Sequence, residues 1–425
     1  MERNCATYRN YITILQEEMI PATGCTEPIA IAYAAAKCRD LLGEQPLRSK
    51  LIVSGPIIKN VKSVVVPNTG NLRGLQAAVA AGIVGGNAEA LLQVLAGITE
   101  ERQAQIKQYL AMRTIQVVPA DNNRPFYIEL ILYGNEHTAR VVIEEYHTNL
   151  VLLERDGEMI AQQKAEVTGI YLTDHSILNT KDIYDFANTV DLNDIRGLID
   201  RQIAYNSAIA SKGLSNAWGA QVGKTLLKMY DNNDIRICAR AAAAAGSDAR
   251  MSGCEMPVVI LSGSGNQGMA TSLPVIEFSK SLGSSEEKLY RALVLASLLT
   301  IHQKSGIGRV SAFCGAVSAG VSAGCGIAYL YGADLETIEH TIINALGICP
   351  GMVCDGAKPS CAAKVSAAVD AGIMGYMMYV SGQSFHGGDG ILKNNTETTI
   401  KAVSEMAREG MRDTDKKILQ IMLRD

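Results

Sequence analysis

The pattern of apolar and polar positions changes character twice along the chain. Residues 1–45 carry helix-like spacing, broken once by Pro21-Ala22-Thr23-Gly24-Cys25-Thr26-Glu27-Pro28. Pro28 suits the first turn of a second helix and Thr26 its cap. The β-branched run LIVSGPIIKNVKSVVVP, ending at Pro67, predicts strand. The loop Asn68-Thr69-Gly70-Asn71 follows, and then LQAAVAAGIVGG and residues 87–112 predict helix. From Arg113 the segments TIQVVPA, FYIELILYG, TARVVIEEY and NLVLLERDG have strand composition and are separated by turn residues. Beyond Lys181 almost everything has helical spacing, with glycine-rich breaks at GSDARMSGCEMP, SGSGNQG, GICPGMVCDGAKPSC and SFHGGDG. The expectation is an α+β fold. A mainly helical domain, residues 1–45 plus 176–425, carries an inserted α/β, β-rich domain with antiparallel strands, residues 46–175.

Composition sharpens this picture at three points. With 425 residues, 48% apolar and 19% charged, the chain can bury a large interior in more than one domain. Aromatics are scarce while Ala and Gly abound, which predicts closely packed helices with small contact residues. The net charge of −4, with no basic stripe, gives no footprint for nucleic acid. The run from Val310 to Ala333 has no charge and is long enough for a membrane span. Its Ala, Gly and Ser content lacks the large aliphatics that favour insertion, so a buried helix of a tight bundle is expected. The ten cysteines form no CxxC pair, and the charged start MERNCATYRNYITILQEE has no signal-peptide core. A cytoplasmic protein with reduced thiols follows, free of the membrane and of nucleic acid. A homo-oligomer is compatible with the sequence.

Cysteines carry the candidate chemistry. Cys5, Cys38, Cys238, Cys254, Cys325 and Cys349 read as small buried apolar residues. Cys314 opens the chargeless helix after the glycine-rich lead-in 305–309. Cys354 and Cys361 flank a loop with Asp355, Gly356, Lys358 and Pro359. Thiolates near inward-pointing amides and Lys358 would have lowered pKa values and suit a soft metal or cluster. Their spacing is not that of a ferredoxin, so by pattern alone the cluster is a weak signal and the spacing does not favour it. Cys25, just before a helix, would feel the positive end of its dipole and could serve as ligand, base or nucleophile.

The Ser262–Gly268 segment lacks the ending of a phosphate loop and the context of a dinucleotide fold. It reads as an anion-binding turn at a helix N-terminus, suited to a carboxylate, or as a plain helix–helix turn. Asn68–Asn71 is a second turn of this kind. His137, His147 and His175 read as surface residues, and His302 and His386 as candidates for proton transfer.

Five motifs together resemble a known family. They are Ile20–Pro28, Val66–Gly70, Ser262–Gly268, Ala312-Phe313-Cys314-Gly315-Ala316, and Gly351–Cys361. Over essentially its whole length the chain resembles the iron–sulfur L-cysteine desulfidases, relatives of the α-chain of bacterial iron–sulfur L-serine dehydratases. The resemblance implies an oxygen-sensitive 4Fe-4S cluster with one iron open to substrate. It implies Cys314, Cys354 and Cys361 as ligands, and Cys25 as a displaceable fourth ligand or the catalytic base. Asn68, Thr69, Gly70, Ser264, Asn266 and Gln267 would hold the substrate carboxylate. The implied activity is β-elimination of L-cysteine, a small amino-acid substrate, to pyruvate, hydrogen sulfide and ammonia. The alternatives are an L-serine or L-threonine dehydratase and a non-catalytic cluster-binding or redox-sensing protein. Some serine dehydratases close the open iron with a C-terminal cysteine. The ending Ile421-Met422-Leu423-Arg424-Asp425 has none, which favours the desulfidase branch.

Overall fold

The strands are β1 (Pro21–Thr23), β2 (Arg48–Val53), β3 (Thr114–Pro119), β4 (Tyr127–Tyr133), β5 (Thr138–Glu144), β6 (Leu150–Arg155), β7 (Glu158–Gln162) and β8 (Pro257–Val259). They belong to a computed structural model that describes residues 1–122, 124–162, 173–308 and 311–424. Six of them form one sheet in the order β3-β2-β4-β5-β6-β7. Outside it nearly all regular structure is helical, so the architecture is α+β with a mainly helical part.

The sheet is mixed. β2 pairs parallel with β3, and its other neighbours pair antiparallel. An all-antiparallel unit therefore does not form. The link from β2 to β3 holds the helices Gly55–Val61, Gly74–Gly85 and Glu100–Met112, and a parallel pair requires such a long crossover. The first of these helices also corrects the reading of residues 51–67 as strand. β2 stops at Val53, because Gly55-Pro56 opens a helix in which Pro occupies the first turn, where its missing N–H costs nothing. Within β2 the buried positions Ser49, Leu51 and Val53 alternate with more exposed ones.

The first 45 residues serve both parts. Tyr8 and Tyr11 of helix Ala6–Glu18 meet Phe186 edge-on, with centroids 5.1 and 5.3 Å apart. Helix Thr26–Leu42 instead lies across β4 and β5, where the Cys38 thiol faces the carbonyls of Leu130 and Ala139.

The Ala/Gly-rich helices pack at close range. Every residue of helix Ala316–Leu330 is buried. A Cβ at Gly320 would lie 2.2 Å from the carbonyl oxygen of Ala368, and one at Gly324 would lie 2.2 Å from that of Gly372. Positions 320 and 324 thus match 368 and 372 on helix Cys361–Val380. The two helices run parallel, with their N-terminal ends side by side. Val310, the start of the chargeless run, and Arg309 before it lie outside the described residues. Among the described residues no helix is long and apolar enough to cross a membrane.

Candidate functional site

Three local devices bring distant cysteines together. The parallel packing of Ala316–Leu330 on Cys361–Val380 sets Cys314, just before the first helix, beside Cys361, the first residue of the second. Phe313 and Val353 form an antiparallel bridge. Its flanking bonds, Cys314 N–H to Met352 O at 2.8 Å and Cys354 N–H to Ala312 O at 2.6 Å, fix Cys354 against Cys314. β1 pairs with β8 and delivers Cys25 to the same place, where Thr26 Oγ1 donates to Gly263 O at 2.9 Å. Thr26 is thus tied to the neighbouring loop, and Cys25 takes the cap position without a capping side-chain bond.

These segments enclose a cavity of about 100 Å³. Its lining includes Cys25, Cys314, Cys354 and Cys361, together with Ser264, Asn266 and Gln267. Helices beginning at Thr26, Gly265, Ala316 and Cys361 all start at its wall. Four N-termini turned toward one small space give it a positive potential that favours thiolates and carboxylates.

The thiols are not equivalent. The hydrogen bond from Cys314 holds Cys354 down to about 5; burial opposes this, and Lys59, the Gly356 amide and Lys304 add to it. The donor Cys314 is pushed well above the ordinary thiol range by that bond and by burial. Burial also raises Cys361. Lys358, bound with Lys364 to Asp355, pulls Cys361 downward through its backbone amide and its charge, but burial outweighs it. The cations that act most on Cys354 are Lys59 and Lys304.

Cys25 departs from expectation in the opposite direction. Burial and the Glu27 carboxylate raise its pKa well above the ordinary value, outweighing the helix N-terminus. Its thiol donates to Glu27 Oε2 at 3.0 Å, while Asn60 Nδ2 donates to Glu27 Oε1 at 2.9 Å. Burial alone would raise Glu27. The charge of His147, the Cys25 thiol and Arg250 hold it below the usual range, so it is a carboxylate.

Asn68, Thr69 and Gly70 do not line this cavity. Asn68 Nδ2 donates to Leu95 O and Thr69 Oγ1 to Val66 O, bonds that shape their own turn. The turn instead supports the site from behind. A Cβ at Gly24, whose φ is +69°, would lie 2.1 Å from Pro67 Cγ. Among the described residues no histidine lines the cavity. His302 bonds Glu397 at 2.9 Å. His147 is buried, edge-on to Phe126, and not a surface residue.

Glu27, Asn60, Arg250 and Lys304 line the cavity without having been singled out from sequence. Glu27 lies within a motif that was noted, two residues from Cys25. Arg250 ends a helix otherwise dominated by Ala, and a charge in such a setting was the signal available.

Among the described residues no three His, Cys, Asp or Glu side chains are gathered tightly enough to share a single metal ion. An iron–sulfur group makes a different demand. Each iron takes its own thiolate, so the ligands stand around a cavity and need not touch one another. Cys314, Cys354 and Cys361 fit such a group by donor type and by lining one cavity.

The fold and this thiol-lined cavity define a class that comparison with known proteins identifies. Residues 89–420 match the family model described as serine dehydratase alpha chain, and the chain belongs to that family. Its relatives include a UPF0597 protein of Desulfitobacterium hafniense, 53% identical over 424 residues, covering 100% of this chain and 98% of the relative. A UPF0597 protein of Lachnoclostridium phytofermentans is 48% identical over 416 residues, covering 98% and 100%. One of Treponema denticola is 43% identical over 431 residues, covering 100% of both.

Proposed function

We propose that the protein is an iron–sulfur-dependent lyase that converts L-cysteine and water to pyruvate, hydrogen sulfide and ammonia. The observation that carries this reading is the meeting of Cys314, Cys354 and Cys361 with the Cys25–Glu27 pair in one cavity. Membership of the serine dehydratase alpha chain family supports a lyase of the dehydratase type.

Cys314, Cys354 and Cys361 would hold a 4Fe-4S cluster. Such a cluster, when bound, supplies a Lewis acid for the leaving group. Cys25 is the base. In the resting site its proton lies on sulfur, and Glu27 Oε2 accepts its hydrogen bond. Transient transfer of that proton to Glu27, uphill because Cys25 is raised and Glu27 is held down, frees the thiolate to take the Cα proton as hydrosulfide leaves from Cβ. The resulting aminoacrylate tautomerises and hydrolyses to pyruvate and ammonia.

The wall beside Cys25 favours sulfur over oxygen in the substrate. Val64 and Met251 pack with Cys25 in a small apolar cluster bordered by Ala357 and Cys361. A thiol side chain rests there at little cost, whereas a hydroxyl would lose its hydrogen bonds. Dehydration of L-serine or L-threonine at the same site is the second reading, favoured by the description of the matched family. An anaerobic assay with the two amino acids in competition separates them. Pyruvate and sulfide formed preferentially from L-cysteine support the desulfidase. Preference for L-serine supports the dehydratase, and no turnover of either contradicts both.

A further inference from the structure

Among the described residues one cation of the cavity makes no ion pair, although the Glu27 carboxylate lies near enough to feel its charge. Arg250 is only 3% exposed and lines the cavity. Among the described residues its guanidinium makes one hydrogen bond, Nη1 to Asn266 Oδ1 at 3.2 Å, and no ion pair. Its Nε is buried without an acceptor. A buried guanidinium left in this state is costly, and a planar carboxylate is the group that relieves it best. The N-terminus of helix Gly265–Leu282 adds to the attraction for an anion.

A complementary group lines the same cavity. Gln267 is buried, and its Oε1 has no donor. Close packing limits its movement, since a Cβ at Gly315 would lie 2.5 Å from Gln267 Cδ. A cation with free donors and a carbonyl oxygen with a free lone pair thus face one space of about 100 Å³. An α-amino acid carries the two matching groups, a carboxylate and an ammonium, on one carbon.

We propose that Arg250 is the anchor for the substrate α-carboxylate and that Gln267 Oε1 accepts from its α-ammonium. The inference rests on reading the cavity as an amino-acid lyase site. It gives the specificity a physical form: free α-amino acids are taken, and amines lacking the carboxylate are not held by Arg250. The β-substituent is thereby directed away from Arg250, toward the thiol wall.

The test uses the anaerobically reconstituted holoenzyme and its Arg250→Met and Arg250→Lys variants. Iron content, KM and kcat for L-cysteine are measured, with inhibition by 3-mercaptopropionate, which lacks the amine, and by cysteamine, which lacks the carboxylate. Loss of a charged hydrogen-bonding partner predicts a KM increase of roughly 10- to 100-fold in Arg250→Met. Its affinity for 3-mercaptopropionate falls by the same factor, cysteamine inhibition and iron content are unchanged, and Arg250→Lys recovers part of the loss. Equal loss of both inhibitors, an unchanged KM, or loss of iron overturns the proposal. Should the wild type turn over no amino acid yet bind 3-mercaptopropionate in an Arg250-dependent way, the lyase reading fails and the anchor stands.

Discussion

The Cys25 thiol donates to the Glu27 carboxylate across 3.0 Å, at the point where the helix Thr26–Leu42 begins. The bond places the thiol proton and a carboxylate side by side on the wall of a thiol-lined cavity. Burial first, and then the Glu27 charge and this bond, keep Cys25 a neutral thiol at rest although a helix N-terminus lies beneath it.

Replacing Cys25 with Ala is expected to leave the iron content of the anaerobic protein intact and to reduce kcat by roughly 10²–10⁴-fold, the usual contribution of a positioned base. Iron analysis beside a pyruvate assay checks this. Wild-type activity with a stable cluster would return Cys25 to a packing role.

Glu27→Gln removes the proton acceptor and the negative charge that raises Cys25. Two effects of opposite sense follow. Turnover falls, while in cluster-free protein the Cys25 thiol titrates at lower pH than in the wild type, though burial still holds it up. The rate of alkylation against pH, with the modified residue identified by mass spectrometry, reads the second effect. An unchanged or higher titration point contradicts the assigned bond.

The structure shows how much of this site could be read from the chain. The helical nature of residues 181–425, the breaks that carry Cys314, Cys354 and Cys361, and the buried state of the chargeless helix were legible. They depend on local spacing and on small residues. The parallel pair β2–β3 and the helix Gly55–Val61 were not, because the β-branched residues Ile57, Ile58 and Val61 suit a strand as well as a buried helix face. The sign of the Cys25 shift was hidden for a different reason. Helix position is a local property, whereas burial and the aim of the Glu27 side chain arise only when β1 meets β8. Asn68–Gly70 resembled a binding turn by sequence, yet Asn68 Nδ2 and Thr69 Oγ1 bond the carbonyls of Leu95 and Val66.

The close crossing that aligns Cys314 with Cys361 has a testable cost. Gly320→Val would place a side chain against the carbonyl of Ala368 and force the two helices apart. A loss of about 1–3 kcal/mol in stability is expected from such overpacking. Loss of iron on exposure to air should also be faster than in the wild type. Thermal unfolding and the decay of visible absorbance measure the two. Unchanged values would mean that the crossing does not set the thiol positions.

Away from the cavity, His302 and the Thr180 amide and hydroxyl hold Glu397 down to about 2 against the burial that would raise it. A carboxyl depressed in the folded state adds stability above its unfolded pKa, about 4.5, and loses it as pH falls toward about 2. Glu397→Gln should therefore lower the melting temperature at pH 6 and flatten its decline between about pH 4.5 and 2. Scans of both proteins across that range test the assignment.

The central claim is that Cys314, Cys354 and Cys361 together hold one iron–sulfur cluster. Iron and acid-labile sulfide analysis of anaerobically purified protein tests it most directly, with the wild type compared with Cys314→Ala, Cys354→Ala and Cys361→Ala. The account predicts about four iron and four sulfide per wild-type chain, the content of one 4Fe-4S cluster. Each variant should lose most of both, with the brown colour. Full iron and sulfide in any of the three variants, or none in the wild type after anaerobic reconstitution, would contradict it.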